Sequence, residues 1–260
     1  MNTQMYDFNS GQHQYQDRGY CVLPQIFTPE EVSALLQELD ILQQAGGGAD
    51  IDRYRDDTGL LRRMERLYDK APRLREMNGR MAGLLKDLFG SEMTIFKDKY
   101  NVKPPRGEGF YAHYDGIFQW RDAANRVRRG WYEYADEFYN VLLALDPCTP
   151  DNGPLEVAAR HDGGFETLLR NTRRNGTPEL TERVAAQADF EKILLSPGDV
   201  VIFSHRCPHR SAVNATDRSR RIIYYTYNKA VDGDYYAAYF RDKATSNKGS
   251  PTSKALSRAG

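Results

Sequence analysis

From residue 93 onward the chain is a succession of short runs dense in β-branched and aromatic residues: MTIFKDKYNVK, EFYNVLLALD, PLEVAA, KILL, DVVIF and RRIIYYTYN. Turn chemistry separates them, in PPRGEG, PDNGP and SPGD. Several strands of this size with such punctuation point to a sandwich, jelly roll or barrel.

The residues ahead of this region read differently. YCVLPQIF at 20–27 predicts a short strand, and Thr28-Pro29-Glu30-Glu31 is a helix start, with a hydroxyl at the N-cap and proline in the first turn. Val32, Leu35, Leu36, Leu39 and Leu42 then recur at helical spacing until the glycines at 46–48. Leu74, Met77, Met81, Leu84, Leu85 and Leu88 predict a second amphipathic helix over 72–88, and the polar segment between the two predicts a loop. Helices ahead of strands give an α+β organisation with a mainly β core. The expectation is one domain over 1–260: a helical part at 1–92, the β core at 93–230, and a C-terminal helix with a mobile tail at 231–260. A helical excursion is expected at 161–190.

Lys+Arg and Asp+Glu both number 36, so there is no basic excess of the kind a nucleic-acid binder shows. No stretch approaches the roughly 20 apolar residues of a membrane span, and the first 20 residues lack the basic-then-apolar order of a secretory signal. Cys21, Cys148 and Cys207 are odd in number and form no CxxC pair, which disfavours a disulfide framework and suits a reducing, cytoplasmic setting. The expected partner is a small molecule, with neither nucleic acid nor membrane, and the expected assembly a monomer or homodimer.

Chemistry concentrates around the histidines, of which there are five: His13, His113, His161, His205 and His209. In His113-Tyr114-Asp115 an extended backbone would point the imidazole and the carboxylate to one side, where both can reach a metal. The triplet alone is equally a surface pair. His209 follows LLSPGDVVIF, a strand, tight turn and strand that deliver it to a strand end. A distant second histidine is what a 2-His-1-carboxylate facial triad requires, three protein ligands leaving three metal positions open. His205 competes for this place, but residues four apart on a strand lie about 13 Å apart, so only one of the two can serve. Arg220, eleven residues after His209 on the following strand, favours His209: a fixed guanidinium can grip the second carboxylate of a keto-diacid chelating the metal.

The run His209-x-Ser211-x-x-Asn214-x-Thr216-x-x-x-Arg220-Arg221 resembles the distal signature of the phytanoyl-CoA dioxygenase family. KPPRGEGFYAHYD resembles the proximal segment of that family, and NGPLEV and SPGDVVIF fit its pattern, so the likeness spans roughly 15–240. The resemblance implies a double-stranded β-helix (jelly roll, cupin-like), with Fe(II) held by His113, Asp115 and His209. It also implies 2-oxoglutarate as co-substrate, held by Arg220 and Ser211, and O2 as oxidant. Lys99 is a further candidate for the co-substrate pocket. Such enzymes couple decarboxylation to succinate and CO2 with oxidation of a C–H bond. Related halogenases carry glycine or alanine at the carboxylate position, so Asp115 implies hydroxylation or desaturation.

Two departures stand out. Tyr114 replaces the glutamine common between the proximal ligands, and its side chain is expected to point away from the metal. The segment 116–138 is long and aromatic and reads as a lid, with Phe118, Trp120 and Trp131 as walls and Arg128 or Arg129 gripping an anion. TYNKAVDGDYYAAYFRDK resembles the C-terminal part of bacterial members that oxidise small polar metabolites, 2-aminoethylphosphonate dioxygenases among them. The expected substrate is thus a phosphonate, an amino acid or a natural-product intermediate. A long acyl-CoA is disfavoured by the lack of a basic patch. Two other readings compete: a cupin-like metalloprotein, isomerase or hydrolase, without 2-oxoglutarate, and a catalytically silent binding module. A serine hydrolase lacks its GxSxG elbow.

Overall fold

The computed structural model describes residues 8–45, 50–122 and 124–246. The first third contains α1 (Phe8–Arg18), β1 (Tyr20–Leu23), α2 (Pro29–Gln44), β2 (Asp52–Arg55), β3 (Leu61–Glu65) and α3 (Pro72–Phe89). The middle contains β4 (Met93–Lys103), β5 (Phe110–His113), β6 (Trp120–Arg121), β7 (Val127–Arg128), β8 (Tyr139–Ala144) and β9 (Glu156–Val157). After α4 (Phe165–Leu169) and α5 (Glu182–Gln187) come β10 (Glu191–Lys192), β11 (Val200–Ser204), β12 (His209–Ser211), β13 (Arg220–Lys229) and α6 (Tyr236–Ser246).

Helix α2 begins where its sequence says. Thr28 and Glu31 form a reciprocal capping box and Pro29 occupies the first turn. Helix α3 buries Leu74, Met77, Met81, Leu84, Leu85 and Leu88. Helix α1 was not foreseen. Its sequence is polar, and Tyr15, packed on Phe89 and Tyr139, fastens it to the body. The glycines at 46–48 lie outside the described residues, as do residues 247–260 of the expected tail, while residues 243–246 continue α6.

Two antiparallel sheets form the core. The larger runs β1-β11-β8-β13-β4-β3-β2 and the smaller β10-β9-β12-β5. Alternation along the large sheet sorts its side chains. Val141, Leu143, Val200, Ile202, Ile223 and Tyr225 face outward and pack with Leu39, Leu74 and Leu85 of the helices. Leu142, Ala144, Val201, Phe203 and Ile222 face inward, against Leu155 and Val157 beside the small sheet. Each fully buried aliphatic side chain is worth roughly 1.5–3 kcal/mol, so both layers are needed.

The segment 49–63, expected to be a loop, instead carries, over its described residues, the hairpin β2–β3. It extends the large sheet through Arg63↔Asn101, Met64↔Tyr100 and Glu65↔Lys99. Its arginines hide this in the sequence, but Met64 and Leu67 are fully buried, and the long free edge of β4 supplies the hydrogen bonds. The excursion at 161–190 does carry two short helices, α4 and α5. Cys21, Cys148 and Cys207 are buried and unpaired. Among the described residues, no helix is long and apolar enough to cross a membrane.

Candidate metal centre and anion pocket

His113 closes β5 and His209 opens β12, and the two are direct cross-strand neighbours. Their rings lie 4.1 Å apart between centroids. The backbone orients both. His113 Nδ1 donates to the Tyr111 carbonyl at 2.7 Å and His209 Nδ1 to that of Cys207 at 3.1 Å, since a carbonyl can only accept. Each ring is thereby left with Nε2 as its free lone pair.

Asp115 follows in the bend after β5, its N–H bonded to the His205 carbonyl at 3.1 Å. Its Oδ2 lies 3.6 Å from His209 Nε2 and accepts from Asn140 Nδ2 at 2.9 Å. Ligand atoms of His113, Asp115 and His209 all fall within 4.8 Å of one another. Two imidazoles and one carboxylate converging within this distance match the donor set of an iron(II) facial triad.

Charge in this cluster is tuned by its surroundings. Burial, then His209, push His113 down to about 3, and burial lowers His209 too, so both imidazoles are neutral and able to ligate. Burial works against the Asp115 carboxylate, but His209, Lys99, His113 and Lys97 outweigh it and hold it below the usual carboxylate range. His205 stands apart from the cluster. Its Nδ1 accepts from the Phe138 N–H at 3.2 Å and its Nε2 lies 3.1 Å from the Tyr132 hydroxyl. Tyr114 points away from the triad into the body, fully buried, its hydroxyl shared with His161 and Asn171.

Arg220, at the head of β13, is 4% exposed, and its Nε has no hydrogen-bond partner. Opposite it on β4 stands Lys103, also 4% exposed. Lys103 Nζ donates to Ser211 Oγ at 2.8 Å and to the Ala212 carbonyl at 2.6 Å. Two buried cations directly across a ladder repel unless an anion lies between them. Gly153 makes room: with φ +66°, a Cβ there would sit 2.3 Å from the Ala212 oxygen and 2.7 Å from Lys103 Nζ.

Lys99, the expected pocket lysine, is four residues back, about 13 Å along the strand. It pairs with Tyr224 and its ammonium lies 4.5 Å from that ring. Lys103 was passed over, although it heads the KPPRGEG stretch. The signal was its register with Arg220, which only the folded sheet supplies. Asn140 and the Thr226 hydroxyl that donates to its Oδ1 at 2.8 Å were likewise not foreseen.

The segment 116–138 forms the small β6–β7 hairpin and a 3-10 turn at Gly130–Glu133. Its arginines are engaged within it. Arg128 pairs with Glu133 at 3.1 Å, and Arg129 bonds the same carboxylate through its backbone N–H at 2.7 Å. Trp131 is buried against Phe96 and Phe138 and stands directly over Gly116. Phe118 and Trp120 are half-buried, Trp120 pairing with Arg128 across the hairpin.

Comparison with known proteins agrees with this geometry. Residues 15–222 match the family model described as phytanoyl-CoA dioxygenase. A 2-aminoethylphosphonate dioxygenase of the uncultured bacterium HF130_AEPn_1 is 30% identical over 192 residues, which are 72% of this chain and 67% of that protein. A methylphosphonate hydroxylase of Gimesia maris is 32% identical over 160 residues, 61% of this chain but only 54% of the relative. Among solved structures, EctD from S. alaskensis, determined with 2-oxoglutarate and 5-hydroxyectoine, has a TM-score of 0.64 at 23% identity. That superposition covers 85% of this chain and 76% of EctD. AviO1 from Streptomyces viridochromogenes Tue57 has a TM-score of 0.62 at 20% identity, over 86% and 96%. These structural likenesses confirm the cupin-like jelly roll. The family match over residues 15–222 and the 30% identical relative, together with the histidine–aspartate–histidine cluster, show that the chain belongs to the phytanoyl-CoA dioxygenase family, as a dioxygenase that uses iron(II), 2-oxoglutarate and O2.

Proposed function

We propose that this protein hydroxylates or desaturates a small polar, anionic metabolite, with His113, Asp115 and His209 holding iron(II) and Arg220, Lys103 and Ser211 holding the far carboxylate of 2-oxoglutarate. The observation that carries the reading is the partnerless, buried Arg220 Nε beside Lys103, which bonds Ser211 on the strand that opens with His209. Bound iron with 2-oxoglutarate and O2 supplies the oxidising power, 2-oxoglutarate leaving as succinate and CO2.

The chain's own residues do the rest. The Tyr111 and Cys207 carbonyls fix the imidazole tautomers. Asn140 fixes the Asp115 carboxylate. Because Asp115 occupies the carboxylate position, no site is left for a halide, which favours hydroxylation or desaturation over halogenation. Arg220 offers a planar fork that suits a carboxylate, and Lys103 brings Ser211 to the same group. The domain expectation is carried forward in the same spirit: a single oxygenase domain in which the segment 116–138 roofs the cavity. With Arg128 paired to Glu133 and the exposed Arg129 guanidinium 3.8 Å from the same carboxylate, that roof contributes aromatic walls, Trp131 foremost, rather than a charged grip. The named activities of the two bacterial relatives support a phosphonate first, with amino acids and natural-product intermediates after it.

The test is turnover. Purified protein with iron(II), 2-oxoglutarate and O2 is offered aminoalkylphosphonates, amino acids and small cyclic metabolites, and succinate and oxygenated product are measured together. Succinate formed in step with a product carrying one added oxygen, or lacking two hydrogens, supports the proposal. Substrate conversion indifferent to 2-oxoglutarate would replace it with a cupin-like isomerase or hydrolase.

A further inference from the structure

Beyond the triad and the co-substrate pocket, the inner face of β4 carries two more cations whose purpose the reaction scheme has not used. At Phe96 the pairing with β13 slips by one residue, Thr226 facing Lys97 and Tyr227 facing Ile95. The slip lets Phe96 and Lys97 both turn inward. Lys99 follows two residues later on the same face. The Lys97 ammonium lies over Trp131 at 5.1 Å and Tyr239 at 5.5 Å, and that of Lys99 over Tyr224 at 4.5 Å. Both act on Asp115 electrostatically, which sets them beside the triad. Among the described residues, neither has a carboxylate within ion-pair distance. Glu65, which also bears on Lys97, is already paired with Arg63 at 3.4 Å and with Lys243.

Two like charges side by side on aromatic walls, sharing only the Asp115 carboxylate as a nearby opposite charge, are an unfavourable arrangement unless a further anion joins them. Arg220 and Lys103 are committed to the far end of the co-substrate, and Lys103 stands about 13 Å along the strand from Lys99. We infer that Lys97 and Lys99 form the substrate's anion subsite and take a tetrahedral dianionic head group, a phosphonate or a phosphate monoester, in preference to a carboxylate. The inference rests on the oxygenase reading for the position of the substrate, and it adds a residue-level basis for selecting one. The Trp131 and Tyr239 rings, with that of Tyr224, form the walls between which the head group lies.

The experiment is calorimetric titration of the anaerobic protein, first with iron(II) and 2-oxoglutarate, then with one of three probes. These are 2-aminoethylphosphonate, phosphoethanolamine and β-alanine, the last presenting a carboxylate on a chain of the same length. Either dianion is expected to bind at least about tenfold more tightly than β-alanine. Lys97→Met and Lys99→Met should each weaken that binding by about tenfold or more, with 2-oxoglutarate affinity unchanged, while Lys99→Arg keeps more of it than Lys99→Met. A preference between the two dianions identifies phosphonate or ester as the source. Equal binding of β-alanine, unchanged dianion binding in both methionine variants, or no dianion binding to the wild type would overturn the assignment. Lost 2-oxoglutarate affinity with dianion binding intact would move the lysines to the co-substrate pocket. Failure of the oxygenase reading shows separately, in the first titration, as no 2-oxoglutarate binding by the wild type.

Discussion

Asn140 Nδ2 donates to Asp115 Oδ2 at 2.9 Å, from the large sheet across to the loop that carries the carboxylate. Thr226, its cross-strand neighbour, donates to Asn140 Oδ1 at 2.8 Å and so decides which end of the amide faces Asp115. Substituting Asn140→Leu removes this donor to the ligand. Supporting bonds of this kind are typically worth about 10–100-fold in metal affinity. Iron(II) titration should show a loss of that size, beside a melting temperature lowered because the buried Thr226 hydroxyl loses its acceptor. Unaltered affinity would mean that Asp115 is oriented by other means.

Lys103 gives the co-substrate pocket a pH dependence. Burial, then Arg220, push it down to about 7, so above that pH the folded protein without ligand has largely given up this proton. A bound carboxylate restores the charge, so binding takes up a proton. Affinity for 2-oxoglutarate should therefore fall as pH rises above about 7, by up to about tenfold per unit, and Lys103→Met should flatten the slope. Stability moves the other way. The unfolded chain keeps the proton to about 10.4 and so binds more protons than the native state between these values, which makes the ligand-free protein more stable as pH rises through that window. Titrations and melting curves across the range check both trends.

Gly153→Ala tests the clearance beneath that lysine. The new methyl would meet the Ala212 oxygen at 2.3 Å and Lys103 Nζ at 2.7 Å, on a backbone with φ +66°. Left-handed backbone alone costs a non-glycine residue about 1–2 kcal/mol. The expected result is a lower melting temperature together with weaker 2-oxoglutarate binding. Loss of stability with binding unaffected would show that Lys103 can move aside.

His205 and His209 can be told apart by substitution. His209→Ala should abolish iron(II) retention. His205→Gln should retain iron while losing about 1–3 kcal/mol of stability, because the Phe138 N–H and the Tyr132 hydroxyl lose their partner. Iron loss in His205→Gln with retention in His209→Ala would reverse the ligand assignment.

Much of this was written in the linear sequence, for physical reasons that differ by element. Helices α2 and α3 announce themselves because their apolar residues recur at 3.6-residue spacing behind proline-bearing starts. His113, Asp115 and His209 stand out because few histidines occur and two of them flank strand-and-turn signals. Helix α1 was hidden because it is held by one buried tyrosine rather than by an apolar stripe. The β2–β3 hairpin was hidden because its strands are rich in arginine and its pairing depends on the edge of β4. The anion pocket was half legible. Arg220 is picked out by spacing, whereas the placing of Lys103, rather than Lys99, opposite it follows from register, which is a property of the sheet. The pairing of the lid arginines was hidden because Glu133, their partner, reads as one more charge in a charged loop.

The central claim is that three ligands and Arg220 bind iron(II) and 2-oxoglutarate together. The most direct measurement is the visible absorption spectrum of the anaerobic protein with both added. A weak metal-to-ligand charge-transfer band should appear in the wild type and be absent from Arg220→Ala at a 2-oxoglutarate concentration that saturates the wild type. Iron binding without that band, or an identical band in Arg220→Ala, would contradict the account.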